Sequence, residues 1–93
     1  MKTNGKAERI DLGKFIVADP KICHGKPTYK GTRIMVWQVL AMLERGESWD
    51  DIRQAWDGRV SSEAIAETIH LARNSFLDAQ GRLAGKSAEL AAR

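Results

Sequence analysis

Ninety-three residues, 43% of them hydrophobic and 29% charged, are enough for one small domain with a marginal core that self-association would help to complete, and they exclude a disordered chain. One cysteine excludes an internal disulfide, and no apolar run approaches the ~20 residues of a membrane span, so no membrane location is expected and the cytoplasm is the default. The formal charge of +3 is unevenly spread: residues 1–33 carry eight Lys/Arg against three acids, and residues 34–93 seven against nine.

In chain order, residues 1–13 read as a flexible N-terminal tail, too polar at Met1–Lys6 for a secretory leader. Residues 14–80 read as the folded domain, and 81–93 as a C-terminal tail or short helix over Ser87 to Ala92. Ile10 and Leu12 alternate, and Phe15-Ile16-Val17 has strand preferences before Asp19-Pro20 ends it. Thr28-Tyr29-Lys30 is the second strand, making a short hairpin that must lie on the helices or pair with a second copy.

The first helix carries Val36, Val39, Leu40 and Leu43 at i, i+3, i+4 and i+7, with Gly46 as its C′ glycine. Ser48-Trp49-Asp50-Asp51 predicts a capping box for a second helix that buries Trp49, Ile52 and Trp56 and stops near Asp57-Gly58. The third starts after Ser61, with Val60 stapled to Ile65, and its stripe of Ile65, Ile69, Ala72 and Phe76 runs on to Ala79 until Gly81 ends it. Periodicity alone thus gives a small helical bundle with a β appendage, spaced as a tri-helical helix-turn-helix unit would be.

Several segments together are more specific: Ile16-Val17-Ala18-Asp19-Pro20, Cys23, Gly25-Lys26-Pro27, Gly31-Thr32-Arg33-Ile34-Met35-Val36, Gly46-Glu47-Ser48 and the helix start after Val60-Ser61-Ser62-Glu63. In spacing and order, from about Phe15 to Ala72, they resemble the domain-of-unknown-function family numbered 433. The resemblance implies a mainly α, winged-helix-like helix-turn-helix fold with the basic hairpin as its wing. It further implies a VapB-like antitoxin: a non-catalytic homodimer that binds its operator DNA, autoregulates its operon and neutralises a PIN-like nuclease. Two positions depart from the family pattern: Trp56-Asp57-Gly58-Arg59 replaces a Tyr-Pro-like helix end, and His24 stands where glycine is common.

Candidate DNA contacts are Lys14, Lys21, Lys26, Lys30, Arg33, His70 and Arg73. Arg33 would take a phosphate or a partner carboxylate through its planar fork, or else pair with Asp19 to tie the hairpin ends. Lys21, Lys26 and Lys30 around Tyr29 are either a phosphate-tracking ribbon or charges that guard an exposed strand edge. The exposed face of the third helix would present Ser62, Glu63, Ala66, Glu67, His70, Arg73 and Asn74. Its glutamates repel phosphate, so the hairpin and tail are expected to dominate DNA affinity.

Candidate partner contacts are Trp37, Leu77, Leu83 and Leu90, with the segment Asp78 to Arg93 and the acids Glu44, Glu47 and Asp50 as further options; packing under the hairpin is the other reading of Trp37. Cys23-His24 with one further histidine, His70, falls short of a zinc site, and Cys23 reads as a small residue filling the turn. Lys26-Pro27-Thr28 lacks the glycine spacing of a phosphate loop. No cofactor, metal or catalytic group is expected. An interaction module, or a transcriptional regulator without a toxin partner, remains the alternative to the antitoxin.

Overall fold

The computed structural model describes residues 8–83. Three short strands, β1 (Ile10–Asp11), β2 (Ile16–Ala18) and β3 (Pro27–Tyr29), form an antiparallel sheet in the order β1-β2-β3. The helices α1 (Val36–Glu44), α2 (Trp49–Ala55) and α3 (Ser62–Asn74) follow. The register sets Ile16 opposite Tyr29, and Val17 opposite Thr28 on one side and Asp11 on the other. Because successive strand residues point to opposite faces, Ile16 and Tyr29 share the face that joins the helical core, and Val17 and Thr28 share the other. All four are buried.

One apolar cluster joins the layers: Ile16 and Tyr29 of the sheet, Ile34, Val39 and Met42 around α1, Ile52 of α2, and Val60, Ala64 and Ile65 at the start of α3. The helix boundaries follow from local chemistry. The Ser48 hydroxyl accepts from the Asp51 amide at 3.1 Å and the Ser61 hydroxyl from the Ala64 amide at 3.1 Å, each meeting one of the donors that a helix start leaves free. Val60 and Ile65, on either side of the Ser61 cap, are both fully buried, as a hydrophobic staple requires. Gly46, directly after the C-cap Arg45, has φ 83°.

Several expectations are corrected. The hairpin is a three-stranded sheet, because Ile10–Asp11 adds a strand inside the segment read as tail; two exposed residues are too few to carry a period. The buried face of α3 is Ala64, Ile65 and Thr68, with Leu71 at its edge, whereas Ile69 is 40% and Phe76 46% exposed. Thr68 takes a place on that face: its hydroxyl donates to the Ala64 carbonyl at 2.8 Å and meets the Tyr29 hydroxyl at 2.7 Å, so Ile65 stays inside as expected while Ile69 and Phe76 fall outside the buried stripe. α3 also ends at Asn74 rather than near Gly81; beyond it, Leu77 and Leu83 form an isolated bridge. Trp49 is 41% exposed at the first position of α2, while Trp56 is half-buried and its indole donates to Met42 Sδ at 3.3 Å. Leu90 and the expected helix from Ser87 to Ala92 lie outside the described residues.

Candidate functional site

The corner after β3 assigns each of its residues a separate task. Gly31 has φ 78° at the third position of a turn in which the Thr32 amide donates to the Tyr29 carbonyl at 3.0 Å, the conformation that a type II turn needs there. Thr32 clamps the corner: its hydroxyl donates to the Tyr29 carbonyl at 2.8 Å and accepts from the Ile34 amide at 3.0 Å. Arg33 has neither task. The expected pairing with Asp19 does not form, because an Asp19 carboxylate oxygen instead accepts from the Lys21 amide at 2.9 Å. The exposed Arg33 guanidinium has no carboxylate partner among the described residues.

Arg33 does have a neighbour that its sequence position conceals. Together with Gly31, Thr32, Ile22 and Arg59 it lines a shallow depression of ≈ 450 Å³. Arg59 stands in the loop between α2 and α3, directly before buried Val60 and the Ser61 cap, and its amide donates to the Trp56 carbonyl at 3.0 Å. Sequence reasoning missed Arg59. The usable signal was an arginine in a glycine-marked loop, one residue before the apolar member of the staple.

The lysines do not make one ribbon. Lys14 lies in the β1–β2 turn and Lys30 follows β3, its amide donating to the Phe15 carbonyl at 2.9 Å. Lys21 and Lys26 lie in the β2–β3 connection, at the opposite end of the strands. Lys30 reaches Asp11 at 3.5 Å, and Lys14 sits 5.5 Å from the centre of the Phe15 ring. Tyr29, expected among them as an exposed aromatic, is 2% exposed. Burial pushes its phenol above the ordinary 10.0, and Thr68, which can turn its own proton toward a phenolate, offsets part of that rise.

On α3, Glu67 is not a surface acid. Its two carboxylate oxygens accept from the amides of Lys14 and Phe15, both at 2.8 Å. Gly13 lies against the same carboxylate, and a Cβ there would come 2.5 Å from it. Glu67 therefore holds the β1–β2 turn onto the third helix. Of the other expected α3 positions, Ser62 is half-buried and Glu63, Ala66, His70, Arg73 and Asn74 are exposed, and Asn74 bonds His70 at 3.1 Å. A groove of ≈ 710 Å³ at the start of α3 is lined by Asp50, Asp57 and Glu63, with Arg53 as its cation. Arg53 is already paired with Asp50.

Cys23, His24 and Gly25 have φ of 51°, 57° and 83°, a single left-handed turn. The Cys23 thiol is half-buried and faces the Arg33 carbonyl at 3.6 Å, in keeping with a residue that fills a turn. Among the described residues no group of three His, Cys, Asp or Glu side chains could hold a metal ion, and no helix is long and apolar enough to cross a membrane. Of the partner candidates, Trp37 is 54% exposed, so it is not packed beneath the sheet, and Leu83 is 47% exposed. Leu77 is half-buried at the bridge with Leu83.

The sequence model of the family described as "Protein of unknown function (DUF433)" matches residues 16–72. The chain belongs to the DUF433 family. The DUF433 span begins at β2 and ends inside α3, so it holds the Gly31-Thr32-Arg33 corner, Arg59 and Glu67 but not β1 or the turn that Glu67 grips. No curated protein and no solved structure matched the chain.

Proposed function

We propose that this DUF433 chain is a non-catalytic, antitoxin-like DNA-binding protein: a cytoplasmic homodimer that occupies its own operator and neutralises a PIN-like nuclease. One observation carries the DNA part of this reading. The arginines Arg45 and Arg53, by α1 and in α2, are bound to Glu47 and Asp50. Lys14, Lys21, Lys26, Arg33 and Arg59, in the turns around the sheet and the loop into α3, have no carboxylate partner among the described residues. Unneutralised cations on turns are what a phosphate backbone attracts, and the counterions they displace make such binding steeply salt-dependent.

In this reading α2 and α3 serve as the helix-turn-helix pair and the sheet as the wing-like ribbon, with His70 and Arg73 as the basic groups on α3. The acids Asp50, Asp57 and Glu63 beside the start of α3 weaken it as a major-groove reader, so backbone contacts from the turns supply most of the affinity. Trp37 and Leu83, large apolar side chains left in solvent, are the protein-facing contacts. A gel shift of the upstream DNA at about 50 and 200 mM salt tests the reading: a shift that weakens with salt supports it, and none at the lower salt removes the DNA role. The nuclease role is tested separately, by co-purifying the neighbouring gene's product with the tagged chain. The exposed Trp37 favours a second reading, a protein-interaction module without DNA, which predicts a co-purified protein and no shift.

A further inference from the structure

The depression between the corner and the α2–α3 loop is the strongest unassigned feature, and its lining decides what would enter it. Two guanidinium-bearing residues meet there with Gly31, Thr32 and Ile22, and no acid lines it. The larger groove at the start of α3 presents three carboxylates to one already-paired arginine and would repel an anion. Arg33 is also dispensable to the fold around it, since Gly31 sets the turn and the Thr32 hydroxyl closes it. Arg59 is held in place by its own backbone bond to Trp56 and by buried Val60 next to it. Two fixed backbones thus bring together, from positions 33 and 59, side chains that neither loop needs for itself.

We propose that Arg33 and Arg59 jointly bind one phosphodiester group of nucleic acid, an inference that rests on the DNA-binding reading above and names the group on which the protein registers. Planar guanidinium groups suit this role better than lysines because each offers two parallel donors to a tetrahedral oxyanion. A backbone phosphate carries no sequence information, so the site positions the protein and does not read bases.

The experiment is fluorescence anisotropy of the full chain with two labelled duplexes, one from the upstream region and one unrelated, across a salt series. The R33A/R59A double variant is expected to lose about 10- to 100-fold in affinity for both duplexes alike. The slope of log K against log salt should become shallower by about 1. R33K keeps the charge but not the fork and is expected to lose several-fold, which provides a readout should the double variant fail to fold. A folded double variant with the wild-type slope and affinity, or R33K binding as tightly as wild type, overturns the site and leaves DNA binding standing. A wild-type chain that binds neither duplex at low salt overturns both.

Discussion

Glu67 contributes more to the fold than a charged residue on a helix usually does. Both of its oxygens are taken by amides of a turn more than fifty positions earlier; a hydrogen bond to a charged acceptor contributes about 1.5–3 kcal/mol, which the part-buried Phe15 bond approaches while the exposed Lys14 bond adds little. Glu67→Ala is expected to lower unfolding stability by about 2–3 kcal/mol in urea denaturation, and Glu67→Gln, which keeps one acceptor oxygen, by about half that. Gly13→Ala displaces the same carboxylate and is expected to be strongly non-additive with Glu67→Ala in a double-mutant cycle. Tyr29 gives a second test at this scale, and it is the chain's one tyrosine. Its phenol ionises at higher pH when folded than when unfolded. The stability linked to its protonated form is therefore complete below about pH 10 and is lost as pH rises through the higher folded value. Thermal melts from pH 9 upward should show that decline in the wild type and a shallower one in Tyr29→Phe.

Among the elements, those readable in sequence were specified by near neighbours. Ser48, Ser61 and Gly46 mark helix ends through contacts within a few residues, and the Val60–Ile65 staple is equally local. What escaped was set by distant partners. β1 exists because it pairs with β2, and Thr68 shares the buried face of α3 with Ile65 because its hydroxyl meets that of Tyr29, leaving Ile69 and Phe76 outside. The corner was legible as a corner, but not that Arg33 would be left unpaired beside Arg59, since nothing in the sequence links positions 33 and 59. The left-handed turn at Cys23–Gly25 belongs to this scale too. A side chain in that conformation costs about 1–2 kcal/mol, part of which glycine returns through its greater freedom when unfolded. His24→Gly is accordingly expected to stabilise the chain by about 0.5–1 kcal/mol in the same denaturation assay.

For the molecule as a whole, the core and the unpartnered surface separate cleanly. Ile52 is fully buried and Trp37 more than half exposed. Ile52→Ala is expected to cost about 2–5 kcal/mol, and Trp37→Ser to stay within about 0.5 kcal/mol of wild type. Should Trp37 meet a second copy or a nuclease, the serine variant would keep its melting curve yet lose mass in light scattering, or lose the co-purified protein. Sheet and helices share one core, and the backbone turn between β1 and β2 hangs from α3 by two bonds. Amide exchange should expose that arrangement. The protons on Lys14 and Phe15, in an outlying turn where rapid replacement by deuterium would be the rule, should persist longer than those of an unanchored turn, and lose that protection in Glu67→Ala, because each must wait for the carboxylate to let go.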